Sequence, residues 1–440
     1  MARDASAPAR AGGPRLAGHT PPPRDAPGAQ AALGALPAAG GGAGPARRRR
    51  KGGGLKRRAA VTGVGLLTPA GDAAATLAAL GRGERALAPP TLLDTAPFSV
   101  HEAGEVRGFD ARPYFEQPKA LKLTDRRTRL GVAACAMAVA DAGLPRGEGA
   151  LEELGVVLGT SGSDLLVEDL SRALAPDEDR LAAGDVPFFA ERVLSGLNPL
   201  WLLVVLPNLA SAHVGIQLGA RGPNSTVMTD AAAGLSAVGE GASWIGTGEA
   251  DALLSGGADT SLQPVAWTDF EAAGLFAEDA AGARLLPGEG AAVLVLEERE
   301  RALSRGARLL GEVLGFATSS PAGEEAPEGA LRRAVRGALQ DAGVAASSVG
   351  AAALDALRPA GERPALDSAL REALGGGPPT VLDLAPSLGH SLAASGPTAA
   401  ALLLSGLAPP GAVILVASLG LAGQAAALVL RREEPAAGRS

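Results

Sequence analysis

The run Thr229-Asp230-Ala231-Ala232-Ala233-Gly234 occupies a place where acyl chemistry is easily done. The β-branched, apolar residues ending at Val227-Met228-Thr229 form a strand, the small residues after them a tight turn, and the stretch from about Ala231 to Gly246 a helix. A strand that feeds abruptly into a helix sets the first helical residue among backbone N–H groups at the positive dipole end. There a thiol loses its proton more readily and an oxyanion is stabilised. Ala231 holds that position and offers no nucleophile. Asp230 beside it is read as a partner for the helix dipole, with its carboxylate pointing off the turn. The single cysteine, Cys135, lies far away in an apolar helical stretch and reads as core. Of the four histidines, His213 is read as a structural residue, and His390 opens a second small-residue turn and helix, His390–Leu407.

These residues need a scaffold, and the composition says what kind. A chain of 440 residues has the length of two or three domains and ample core. Aromatics make up 3%, so the core is built from Ala, Leu and Val. One cysteine excludes a disulfide framework and fits a reducing cytoplasm, the expected location. No His/Cys cluster points to zinc, and neither metal nor cofactor is expected. Residues 1–58 carry 12 Lys/Arg and 2 Asp/Glu; of the chain's 40 and 47, that leaves 28 and 45 and a net charge of −17 for the rest. Such an acidic body gives no nucleic-acid groove and no broad positive face for an acidic partner.

Residues 1–58, rich in Ala, Gly, Pro and Arg and without hydrophobic period, are expected to be a disordered, solvated basic tail, as are residues 433–440 at the other end. The apolar run in Asn198–Ala220 is too short to span a membrane and is broken by Pro207-Asn208, so it is expected to be core helix and dimer contact. A weak repeat runs through the chain. Asp141-Ala142-Gly143 and Asp341-Ala342-Gly343 each follow a helix and precede an apolar strand. The turn and helix at Thr229–Gly246 with strand Ala252–Gly256 are echoed by His390–Leu407 with Ala412–Ser418. The halves are placed at 59–300 and 301–432.

Several segments together resemble the β-ketoacyl synthases, the condensing enzymes of fatty acid and polyketide assembly. They are Gly222-Pro223-Asn224, Thr229 with Ala232-Ala233-Gly234, Gly256-Gly257-Ala258-Asp259, Pro287-Gly288-Glu289-Gly290 and Gly389-His390. The opening strand Ala59–Leu67 and the segments Gly104–Phe115 and Leu123–Leu144 fit the same pattern, and the resemblance covers about residues 58–432. It implies an α/β, thiolase-like fold: two similar βαβ-rich halves in a five-layered α/β/α/β/α stack.

In that family a Cys takes the acyl chain, two His stabilise the enolate formed by malonyl decarboxylation, and a Lys orders the network. Carried over, the Cys position is Ala231, the first His position Leu357, the Lys position Ala385, and His390 alone is retained. Leu419 and Leu421 fall on a loop that in the family gates the pocket. The family's charged loop before Pro287 is largely absent. The resemblance therefore implies a catalytically inactive, chain-length-factor-like subunit without condensing activity of its own. It would form a heterodimer with an active ketosynthase, shape its acyl tunnel and meet an acyl carrier protein, without nucleic acid or a membrane span. A homodimer is the other assembly the resemblance allows. The alternatives are residual decarboxylation of malonyl-carrier protein through His390 or atypical synthase activity, and a degenerate homologue with a structural role.

Overall fold

The computed structural model describes residues 57–116, 118–145, 147, 149–162, 171, 185–197, 200–376 and 380–434. The expected disorder of residues 1–58 and 433–440 falls largely outside them. Arg57 and Arg58, assigned to the tail, are held on the body: Arg57 pairs with Asp251, and Arg58 reaches Glu312 at 3.5 Å.

Among the described residues ten strands form one sheet: β1 (Ala59–Leu67), β2 (Gly155–Gly159), β3 (Asn224–Val227), β4 (Ala252–Thr260), β5 (Glu289–Glu298), β6 (Gly311–Ser319), β7 (Val349–Ala356), β8 (Val381–Leu382), β9 (Val413–Leu419) and β10 (Ala425–Arg432). Their order is β3-β2-β4-β5-β1-β6-β10-β9-β7-β8, so the second half mirrors the first about the β1–β6 junction. In each half the three strands nearest that junction are antiparallel and the outer ones parallel.

The layers are built by helices among the described residues that include α1 (Arg126–Asp141), α2 (Leu209–Leu218), α3 (Ala233–Thr247), α4 (Pro327–Ala342), α5 (Arg363–Ala373) and α6 (Ser395–Leu402). Period-two alternation in strands apolar on both faces assigns each its layer. Ala292, Leu294 and Leu296 of β5, with Ile414 and Val416 of β9, face a central core that holds Leu235 and Val238 of α3 and Ala399–Leu402 of α6. Ala291, Val293 and Val295 turn the other way, onto Leu130 and Ala134 of α1 and Val214 of α2. Leu415, Ala417 and Leu419 pack outward on α4 and α5. Two outer helix layers, two half-sheets and a central pair of helices give the five-layered, thiolase-like stack that the sequence predicts.

The repeat has a physical counterpart. Asp141 at the end of α1 accepts the Val64 N–H at 2.9 Å, and Asp341 at the end of α4 accepts the Phe316 N–H at 3.0 Å. Each Asp-Ala-Gly thus ties a helix end to the innermost strand of its own half-sheet. The apolar stretch around Trp201–Ala220 forms a short helix, Leu202–Val205, then α2, with the break at Pro207-Asn208. No helix among the described residues is long and apolar enough to cross a membrane.

Glu289, fully buried, explains its motif. It accepts the Val106 N–H at 2.8 Å, the Thr260 hydroxyl at 3.0 Å and Arg126 Nε at 2.6 Å. It thereby fastens the segment after Gly104 and the start of α1 to β5. Glu289→Ala strands the half-buried Arg126 and an orphaned backbone N–H, and should cost about 3–5 kcal/mol. The midpoint of urea unfolding would report it, and a loss below about 1 kcal/mol would show that water replaces the carboxylate.

Candidate functional site

The turn between β3 and α3 meets the turn before α6 at the centre of the molecule. Helix α3 starts at Ala233 rather than Ala231, after a bend in which Asp230 has φ +55°. A Cβ on Gly234 or on Gly257 of β4 would collide with the Ala393 carbonyl oxygen, so the two small-residue motifs are glycines for the sake of this contact. Asp259, the last residue of its motif, accepts N–H bonds from Ser161 at 2.7 Å and Ala393 at 3.4 Å. Burial pushes its carboxyl up to about 6, against the pull of Arg127.

His390 is fully buried between these turns. Its Nδ1 accepts the Leu392 N–H at 3.1 Å, which leaves the proton of the neutral ring on Nε2. Nε2 stands 2.8 Å from Oδ1 of Asp355, near the end of β7, at ion-pair distance but off the hydrogen-bond direction; Asp355 Oδ2 has no partner. Burial works against charging His390, but the Asp355 carboxylate, with Asp230 and Asp383, outweighs it and holds the ring above its usual pKa. Asp383 is paired with Arg363, and its own carboxyl is pushed up by burial. Asp355, Asp383, Ser391, Ser395 and Thr398 border a cavity of about 20 Å³, room for one water.

Ala231 is fully buried in an apolar cluster that also holds Leu357, Leu392 and Trp267. Phe98, Trp267, Phe276 and Phe270 continue the cluster in edge-to-face pairs with centroids 5.4–6.0 Å apart. Four of the chain's twelve aromatic residues are spent filling this volume. The structure therefore brings together Ala231, Leu357 and, from one side, Leu421. Ala385, on the short helix Ala385–Leu388 with its N–H on Asp383, is outside this cluster but borders the small cavity beside Asp355 and Ser391, and it also lines an outer hollow of about 150 Å³ with Arg284, Arg358 and Arg363. Leu419 faces away, into the core under α4 and α5. His213 is buried on α2, where desolvation lowers its pKa, and Cys135 is buried in α1, where burial pushes the thiol far up.

Sequence reasoning missed two roles. Asp230, beside the helix entry, has a distant partner as well: its Oδ2 accepts the Leu421 N–H at 2.6 Å. Asp355, a lone carboxylate in the apolar strand Val349–Ala356, was the visible signal for a buried partner, and its partner is His390. The expected lack of a broad positive face also meets a local exception. Arg112, Lys122, Arg126 and Arg129 surround a hollow of about 370 Å³ with Phe109 and Asp110.

Comparison with known proteins gives this geometry its relatives. The family model described as "Beta-ketoacyl synthase, N-terminal domain" matches residues 56–302. The chain belongs to this family. It is 30% identical over 304 residues to a 3-oxoacyl-[acyl-carrier-protein] synthase 2 of Staphylococcus aureus (strain COL), a match spanning 66% of this chain and 70% of that one. Among solved structures it is similar to "The ishigamide ketosynthase/chain length factor", at TM-score 0.70 and 29% identity, over 86% of this chain and all of that one. The same fold recurs in a type II polyketide acyl-carrier protein in complex with its ketosynthase bound to the hexaketide (TM-score 0.64, 22% identity, 86% and 100% covered). As a β-ketoacyl synthase homologue, the chain carries the family's framework around an interior that is packed shut.

Proposed function

We propose that this chain is a non-condensing ketosynthase-like subunit of a type II fatty acid or polyketide system, which pairs with an active β-ketoacyl synthase and shapes the acyl tunnel of the pair. The observation that carries the reading is the state of the inferred reaction centre. Ala231 and Leu357 are buried in apolar packing, and His390 has Leu392 on one nitrogen and the Asp355 carboxylate in front of the other. Condensation needs a nucleophile, which Ala231 does not supply; decarboxylation through His390 needs its Nε2–H open to a thioester carbonyl, and that group is buried with the Asp355 carboxylate 2.8 Å in front of it. This argues against the residual decarboxylase as well.

Pairing is supported by the sheet edge. Among the described residues β3 is an edge strand of the sheet, and Met228 just beyond it is 49% exposed. Leu203 and Leu206 just before α2, and Ile216 on α2, are exposed as well. An open edge beside exposed apolar residues is a surface that natural proteins cover. The basic hollow around Lys122 supports an acidic carrier protein as second partner. Both kinds of partner occur in the names of the solved neighbours.

The test is co-expression with an active β-ketoacyl synthase, followed by size-exclusion chromatography and intact-mass analysis after exposure to acyl- and malonyl-carrier protein. A mixed dimer in which only the partner is acylated is expected. Met228→Asp should weaken the pairing about tenfold or more by placing a charge in the covered edge. An acyl adduct on this chain, or malonyl decarboxylation by it alone, would overturn the proposal.

A further inference from the structure

The loop after β2, the end of β4 and the turn before α6 meet at one buried carboxylate, that of Asp259, which is 1% exposed. Its Oδ2 accepts the Ser161 N–H at 2.7 Å and, more loosely, the Ala393 N–H at 3.4 Å; its Oδ1 accepts the Thr260 N–H at 3.2 Å. Ser161 and Ala393 lie far apart in the chain, so this side chain ties two distant segments together. Leu392, next to Ala393, donates its N–H to His390 Nδ1 at 3.1 Å. The turn that Asp259 ties is therefore the one that holds His390.

The charges around Asp259 do not balance. Arg127 of α1 stands 4.0 Å from Asp259 Oδ1 but 2.8 Å from Oδ2 of Asp125, and all three side chains are buried. Among the described residues one guanidinium thus serves two enclosed carboxylates, and the nearer one has the larger share. The charged groups of the neighbouring elements are engaged elsewhere, Glu289 of β5 with Arg126 and His390 with Asp355. An enclosed carboxylate with a shared counter-ion is held at a cost that one proton removes. Burial accordingly pushes Asp259 up to about 6, against the pull of Arg127.

Arg127 also decides where that proton goes. The guanidinium stands on the Oδ1 side and repels it, so it is taken up on Oδ2, where the Ser161 hydroxyl bonds the carboxylate and can accept from it. A protonated oxygen is a poor acceptor for two N–H groups, and the longer bond, from Ala393, is the one lost.

We propose that Asp259 is a proton-operated tie between the loop at Ser161 and the turn before α6: as an anion it holds the Ala393 amide, and on taking up a proton it releases that amide and frees the turn that carries His390. The tie stands independently of whether the chain pairs with a synthase, because every group in it is internal. A carboxyl whose folded value lies above its unfolded one, near 3.9, adds stability that is full below about pH 3.9 and is lost as the pH rises through about 6. Proton uptake at Asp259 therefore stabilises the folded chain while it loosens one turn, and general acid unfolding is not the expected signal.

Amide hydrogen exchange on the full-length protein, read as protection relative to the intrinsic rate at each pH, tests the tie. From about pH 8 to about pH 5.5 protection at Ala393 should fall about threefold or more, the effect of losing one hydrogen bond, while the amides of β4 and β5 keep theirs. Asp259→Asn keeps a carbonyl oxygen but cannot titrate, and should abolish the pH dependence. Asp125→Asn keeps the cap of α1, because Asn caps as well as Asp, and leaves Arg127 to Asp259. Its midpoint should move down by about one pH unit or more, a shift that a merely structural role would not produce. Equal protection at Ala393 at both pH values would overturn the tie. So would a fall that persists in Asp259→Asn, a midpoint that Asp125→Asn leaves in place, or equal loss across β4 and β5. The unaltered protein and Asp125→Asn decide the matter if Asp259→Asn fails to fold.

Discussion

Ala231→Cys is expected to stay unacylated when incubated with acyl-carrier protein, and to react with iodoacetamide about a thousandfold more slowly than an exposed thiol. Restoring the nucleophile by itself does not restore its surroundings. Ala231 is fully buried beside Leu357, Leu392 and Trp267, with Leu421 packed against the same cluster. Burial of this kind raises a thiol pKa, by up to about 3–5 units for fully enclosed groups, and each unit removes a factor of ten in thiolate. Cys135, equally enclosed in α1, shows the direction within this same chain. The half-buried Asp230 carboxylate next door opposes a second negative charge. Intact mass and alkylation rate read the outcome directly. Rapid alkylation or an acyl adduct would mean that the interior opens in solution, and would favour an enzyme disabled at a single atom.

Asp355→Ala should cost about 3 kcal/mol of stability near pH 6 and distinctly less near pH 9, measured by urea unfolding across that range. Removing the carboxylate leaves His390, fully buried, facing an empty space at Nε2. The pH dependence follows from the raised His390 pKa. A histidine whose folded pKa lies above its unfolded value near 6.5 contributes stability that is fully present below about pH 6.5 and is lost as the pH rises through the folded value. Charging the ring must place a proton on Nδ1 and displace the Leu392 N–H, which limits how far the carboxylates can raise it. Above that value the neutral ring still loses an acceptor near Nε2–H, worth about 1 kcal/mol. A cost that does not change between pH 6 and 9 would mean that His390 never carries a charge in the folded chain.

The two solved neighbours with partners and the 30% identical synthase agree on framework, and the framework was also the legible part of the sequence. Short apolar strands with alternating sides, helices closed by Asp-Ala-Gly, and glycines where two turns cross are local patterns, and each reports a local or repeated constraint. The repeat was visible because the halves solve the same packing problem twice, down to Asp141 and Asp341 holding equivalent strand amides.

The site was legible only as a set of positions. That Ala231 brings no nucleophile to its turn is a fact of residue type, and the sequence alone determines it. What surrounds that turn is decided by contacts between segments far apart in the chain. Asp355 and His390 lie 35 positions apart, and nothing in either segment says that β7 ends against the turn before α6. Leu419 and Leu421 share a parity that would put both on one face of a strand. β9 ends at Leu419, however, so the first points into the outer core and the second onto Ala231. Asp230 stands at a helix entry by sequence, and only the folded chain brings the Leu421 amide onto its carboxylate. Residue types fix which chemistry is absent, because a missing functional group cannot be supplied by folding. Only the tertiary structure decides what the remaining polar groups do instead, because burial forces each to find its partner wherever the chain has brought one.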